Sequence, residues 1–453
     1  MTQLDAISEG LLRRQRVWAV VAVSAGSVLY TLDASIANVA LPTIGHALNI
    51  SASASMLLIS VYNLVLAMVL LPLASIGDRV GHRQIFVLGL VLYLVAATAC
   101  LLLASSFAWL VTARAIQAIA AGSVLSVSLA MVRDIYPATH LGRGLGINTI
   151  AASTGAAIAP ALGGFILSIV SWRWVFAAGA PMALLALACS VALPHRERRQ
   201  TRFDLTGALL CAMTFGLLIA GLQGLANDRG SLVACASAIS GAVLAVIFVR
   251  YELRLATPVL PVDLFGRPAL ALSVAGALFA VVSSTALLLA LPFRLSAMGF
   301  SPAAIGTMIV PYALAVTVAA PSSGMLSDRI SPSVLGTVGM SIAVVAALCL
   351  AYLPDRPSYP DIAWRTALCG VGFSMFFSPN GRMVVGSVPK TRAAGASSLI
   401  ATTRMFGQAL GSTLLGGVLA LRMGATAPAL SAAVLAVVAW LLSAARLAVI
   451  DKC

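Results

Sequence analysis

The chain has 453 residues, of which 60% are hydrophobic and 9% charged. A chain this apolar cannot cover a soluble core with polar surface, which excludes an ordinary soluble domain. The formal charge of +14 is spread over short connections between apolar runs, which excludes a nucleic-acid footprint and points to membrane topology and contact with anionic lipid.

Fourteen stretches of bilayer-spanning length are predicted, at about 17–40, 53–75, 84–104, 107–132, 145–170, 172–193, 205–226, 231–250, 269–292, 303–324, 332–353, 361–386, 394–420 and 425–448. They are continuous rather than alternating, so the expected class is an all-α integral membrane protein and not a β-barrel. Arg13-Arg14-Gln15-Arg16 precedes the first stretch, and no small-residue cleavage site follows, so that stretch reads as a retained helix. Roughly nineteen of the 28 Lys and Arg fall on the side of the N-terminus and about five on the other, which predicts both termini in the cytoplasm. Arg114, Arg365, Arg382 and Arg404 fall inside stretches. The seven cysteines lack metal-ligand spacing and read as small core residues, so no metal, cofactor or disulfide framework is expected.

The first stretch carries Asp33 in the run Leu32-Asp33-Ala34-Ser35-Ile36-Ala37-Asn38-Val39-Ala40-Leu41-Pro42. An ionised carboxylate in hydrocarbon is costly, so Asp33 should face a cavity or a partner and mark an ion or substrate path. No second Asp, Glu or His is expected well inside a helix. Tyr30 lies one turn before it, and the second stretch offers Tyr62 and Asn63. The next loop reads Gly77-Asp78-Arg79-Val80-Gly81-His82-Arg83. There Asp78 and Arg79 can pair or cap helix ends, and Gly81 permits a tight turn. The fourth stretch holds Arg114 with Gln117 one turn on. A buried Arg needs a partner, here either Asp33 at nearly the same depth or backbone carbonyls of its own bundle. The fifth stretch is rich in small residues around Gly155, Pro160, Gly163 and Gly164, which allow close helix approach. Arg196, Arg198, Arg199 and Arg202 then mark a basic linker before two further stretches. The twelfth supplies Phe373, Met375, Phe376, Phe377 and Asn380; together with Tyr30 and Tyr62, such a surface suits flat lipophilic cations.

An internal repeat organises these stretches. Asp78 and Asp328, Arg114 and Arg365, Arg143 and Arg392, and Gly163 and Gly416 are separated by 250, 251, 249 and 253 positions. The expected division is an N-terminal six-helix bundle at 17–193, linkers with two extra helices at 194–268, and a C-terminal six-helix bundle at 269–448. Repeated halves with a binding site at their interface are a recurrent transporter plan.

Asp78-Arg79-x-Gly81-His82-Arg83 resembles the loop motif between helices two and three of the major facilitator superfamily. Gly155-x4-Pro160-x2-Gly163-Gly164 resembles the fifth-helix motif of its antiporters. The run around Asp33, with Trp172-Arg173-Trp174-Val175-Phe176, resembles the fourteen-helix drug:proton antiporters. Ala74, His82, Ala118 and Ala120 depart from the family's patterns at positions expected to tune packing. The resemblance implies a proton-coupled multidrug efflux transporter of the cell inner membrane. It would export amphiphilic, often cationic compounds by alternating access. Asp33 and Arg114 would couple protons, on neighbouring helices lining the cavity. Tyr30, Asp33, Tyr62, Asn63, Gln117, Phe373, Phe376, Phe377 and Asn380 would line the substrate site. Asp78, Arg79, Gly81, Arg83, Asp328 and Arg329 would gate, with Gly155, Pro160, Gly163 and Gly164 sealing the bundle interface. Its partners would be a small-molecule substrate, protons and the lipid bilayer, with no nucleic acid, and a functional monomer is expected. A transporter of one physiological metabolite and a non-transporting membrane sensor are the alternatives. An enzyme is not expected: His46, His82, His140 and His195 lie in or beside loops, and no phosphate loop or H-E-x-x-H occurs.

Overall fold

The computed structural model describes residues 13–103, 106–137, 140–194, 205–228, 232–255, 265–388 and 393–450. The basic linker with Arg196, Arg198, Arg199 and Arg202, and Arg392 of the repeat, lie outside the described residues. All regular structure among those described is helical. The long helices are α1 (Arg13–Ala47), α2 (Leu57–Val80), α3 (His82–Leu103), α4 (Phe107–Ile135), α5 (Leu141–Ile169), α6 (Ala180–Cys189) and α7 (Leu205–Asp228). There follow α8 (Leu232–Glu252), α9 (Pro268–Ala297), α10 (Pro302–Leu326), α11 (Pro332–Ala351), α12 (Tyr359–Gly386), α13 (Ala393–Ala420) and α14 (Ala427–Ile450).

Among the described residues, eleven segments are long and apolar enough to cross a membrane, which makes this a multi-pass membrane protein. α12 and α13 are each 28 residues long, but Arg365, Asn380 and Arg382 in the one and Arg404 and Gln408 in the other dilute their hydropathy. In α7 the apolar run is shorter, Leu209–Leu225.

Local chemistry sets several ends. Gly81 closes α2 with φ +119°, a value that suits a residue without Cβ. Ser106 caps α4 by accepting from the Trp109 amide, and Ser358 with Asp361 forms a capping box on α12. The stretch expected as one helix at 172–193 is broken: a 3₁₀ segment, Trp172–Ala177, precedes α6. Pro181 can open a helix but not continue one. A Cβ on Gly179 would lie 2.4 Å from the Tyr93 hydroxyl oxygen, so the break brings the chain hard against α3.

Packing repeats between the first six and last six helices. α1 packs on α5 and α6 as α9 packs on α13 and α14; α2 and α3 pack on α4 as α10 and α11 pack on α12. Between these groups run two seams, α5 against α10 and α2 against α13. The α7–α8 pair lies outside, with α7 against both α2 and α13.

Candidate functional site

Contacts across the seams gather toward one end of the helices, opposite the end where α1 begins. The Ser60 hydroxyl donates to Ser412 Oγ at 2.8 Å, joining α2 to α13. A Cβ on Gly306 would lie 2.4 Å from the Pro160 carbonyl oxygen, and one on Gly164 would lie 2.6 Å from that of Pro302. Pro160 and Gly164 thus sit backbone-to-backbone against α10, as small residues allow, while Gly155 and Gly163 pack on α1 instead. Leu41, Ile44, Leu291 and Leu295 belong to one apolar core that crosses between the groups. Toward the other end the cores separate: Ile85, Met131 and Leu193 stay with the first group, and Leu270, Val388 and Ala396 with the second. The result is a cleft closed at one end and open at the end where α1 begins.

Asp33 lies in α1 beside this cleft and is 1% exposed. Arg114 Nη1 of α4 donates to its two carboxylate oxygens at 3.2 and 3.3 Å, and Nη2 reaches its backbone oxygen at 3.5 Å. The Tyr93 hydroxyl of α3 donates to Asp33 Oδ1 at 3.1 Å. Gln117 accepts from Arg114 Nη1 at 2.9 Å and donates to the Phe176 carbonyl at 2.9 Å. The guanidinium also lies 4.2 Å from the Tyr62 ring centroid and 5.3 Å from that of Phe176. Of the two partners open for Arg114, the structure selects Asp33. A pair so enclosed is held by hydrogen bonds and ring faces that together offset desolvation. Tyr93 and Phe176 complete the site and were not singled out from sequence; the Trp172–Phe176 motif was the available signal for the latter.

The other expected substrate residues divide. Tyr30 and Phe377 are partly exposed. Tyr62 and Asn63 are buried, with Tyr62 committed to the Arg114 face. Phe373, Phe376 and Asn380 do not reach the cleft. Phe376 would touch a Cβ placed on Gly276 or Gly336, inside the second group, and Phe373 stacks on Phe377. Asn380 accepts from Arg446 Nη1 at 2.5 Å and donates to the Ser273 carbonyl. Arg446, within the last expected stretch, is 1% exposed inside α14 and takes those partners from the interior. Glu252, 1% exposed in the last turn of α8, is a buried carboxyl that the sequence scan missed. Arg365 does not repeat the role of Arg114: it pairs with Asp361 one turn away at 2.9 Å.

At the open end, Asp78 is not joined to the second group. Its Oδ1 lies 3.1 Å from His82 Nε2, and His82 Nδ1 lies 3.1 Å from Asp134 Oδ2 of α4. Only an imidazolium, with a proton on each nitrogen, donates to both carboxylates. Asp328 pairs with Arg382 of α12, which also donates to Ser327 Oγ at 3.0 Å. Asp134 and Arg382 are 248 positions apart, so the repeated position on the fourth helix of each half holds the loop, through His82 in the first half and by direct pairing with Asp328 in the second. Arg79 and Arg329 are exposed and Arg83 is partly exposed.

A multi-pass helical chain with a cleft between two similarly packed groups defines a transporter architecture. Residues 23–412 and 273–450 match the Major Facilitator Superfamily, and the chain belongs to that family. It is 35% identical over 448 residues to the uncharacterized transporter YebQ of Escherichia coli, covering 97% of each chain. It is 32% identical to the multidrug resistance protein Stp of Mycobacterium tuberculosis, covering 92% of this chain and 78% of that one. The fold is also that of a POT family transporter, with TM-score 0.71, 20% identity and 96% coverage of both chains.

Proposed function

We propose that this protein is a proton-coupled efflux transporter of the cell inner membrane, with fourteen crossings and both termini in the cytoplasm. It would export amphiphilic compounds by alternating access, as a functional monomer. The observation that carries the reading is the buried Asp33–Arg114 pair beside a cleft open at one end. Protonating Asp33 would cancel the pair and leave Arg114 buried without a counter-charge, a state disfavoured by about 3–5 kcal/mol. That difference is large enough to reset a two-state equilibrium. The resistance name of Stp supports export rather than uptake. A preference for cationic cargo, expected from the resemblance and from the aromatic surface, gains nothing from Asp33, whose charge Arg114 already matches. The cytoplasmic bridges at Asp78 and Asp328 each lie within one group, as suits an inward-open state in which no latch joins the halves. A carrier of one metabolite would use the same parts.

Asp33→Asn in vesicles tests the reading. The variant should insert and bind cargo but lose uphill, pH-gradient-driven movement. Wild-type-like accumulation against a gradient would refute the coupling role.

A further inference from the structure

Arg404 is the intramembrane charge that none of these pairs uses. It lies near the middle of α13, and its neighbours along the helix fix its direction. Phe406 packs on Phe215 of α7, with centroids 4.8 Å apart and the rings tilted by 35°. Gly407 abuts Val281 and Leu278 of α9. Met405 packs on the cluster around Tyr62, and Ser412 bonds Ser60 of α2. With 3.6 residues per turn, those contacts assign three sides of α13 to α7, α9 and α2. Position 404 takes the fourth side, between α2 and α9, which is the cleft.

Two observations agree with that placement. Arg404 is exposed despite its depth in the helix. Its charge also acts on Tyr30 of α1 and Tyr312 of α10, which belong to opposite groups. Gln408, one turn along, shares its face. No hydrogen bond or ion pair to Arg404 occurs among the described residues. The other intramembrane guanidinium groups are engaged: Arg114 by Asp33, Arg365 by Asp361, Arg382 by Asp328 and Arg446 by Asn380. Among the described intramembrane residues, the cleft therefore presents one unmatched positive charge.

We propose that Arg404 docks an acidic group of the cargo, so that the preferred substrates are amphiphiles bearing a carboxylate or a comparably acidic group. The planar guanidinium fork matches a carboxylate. Closing an empty cleft would strip water from an unpaired cation. A bound acid supplies the missing partner, so the loaded protein closes more readily than the empty one. Only such a difference between states lets a ligand drive a conformational change. A purely cationic amphiphile would meet repulsion at the same point.

The inference rests on the transport reading for the cargo's movement but not for its binding, and the two can be tested apart. Binding to purified, detergent-solubilised protein is followed by fluorescence for a xanthene dye with a free carboxylate and for its ethyl ester. The acid should bind wild type about tenfold more tightly than the ester, the scale of one charge-assisted contact. Arg404→Gln should abolish that preference, and Arg404→Lys should keep part of it. Equal affinity of wild type for acid and ester, or an unchanged preference in Arg404→Gln, overturns the site. Proton-driven dye uptake into inverted vesicles reports on export separately. Acid-selective binding without transport would refute the exporter reading and leave the site standing; transport without acid selectivity would do the reverse.

Discussion

Removing Arg114 should be harsher than removing the charge of Asp33. Arg114→Ala leaves a carboxylate 1% exposed with only the Tyr93 hydroxyl as donor. Asp33→Asn leaves the guanidinium with Gln117, a backbone oxygen and two ring faces. Losing one partner of a buried pair costs about 3–5 kcal/mol, so Arg114→Ala should show the larger drop in thermal midpoint; equal drops would remove the distinction. A second residue-scale test concerns His82. His82→Ala would remove the imidazole that bridges Asp78 and Asp134. Amides 77–83 should then exchange about tenfold faster, a change of about 1.4 kcal/mol, and His82→Arg should restore much of the protection. Unchanged exchange in His82→Ala would make the bridge incidental. Asp33, Arg114 and Gln117 were legible because polar groups stand out in apolar runs. Tyr93 was not, because an aromatic residue in a hydrophobic helix gives no signal until its hydroxyl has a partner. That Phe373, Phe376 and Asn380 are buried was not legible, because a single helix does not reveal which of its faces is interior.

At the scale of elements, the α5–α10 seam depends on two glycines that tolerate no side chain. Gly306→Val would push against the Pro160 carbonyl, already 2.4 Å from the modest volume of a Cβ. Backbone cannot yield as a side-chain tip does, so the closed end should part, biasing the ensemble away from the form described here. A cysteine placed near that seam should gain reactivity to an impermeant thiol reagent by several-fold; no change would show that the seam is not the seal. Gly164 was legible as part of a small-residue motif. Gly306 was not, because its role depends on the partner helix. α1 runs past Pro42 to Ala47 and α9 past Pro292 to Ala297, beyond the expected bounds. Neighbouring helices and local adjustment re-satisfy the freed backbone in a membrane protein, so Pro is a weaker stop there. The broken 172–193 stretch followed from a close approach to Tyr93 that hydropathy does not encode.

For the whole molecule, the 250-residue offset foretold which helices would pack alike, and the paired contacts of α1–α6 and α9–α14 follow it. It did not foretell that the central ion pair exists in one half only, since Arg365 is drawn to Asp361 by an i,i+4 spacing that Arg114 lacks. Nor does the repeat fix which of several conformations the chain takes. A cross-link should report on that. With Ser60 and Ser412 oxygens 2.8 Å apart, a Ser60→Cys/Ser412→Cys pair in a background without native cysteines should oxidise and hold the end shut. Turnover should fall at least tenfold and return with reductant; full activity in the oxidised form would mean that this seam never opens. One feature of the assembly bears on how cargo arrives. α7 lies along the α2–α13 seam, with Phe215 on Phe406 and Gln223 beside Ser60 and Ser412, and α8 covers α7 in turn. That hairpin covers one flank of the seam. A compound dissolved in the surrounding lipid is denied sideways entry there, and must slip in along the unshielded α5–α10 flank or wait for the watery mouth.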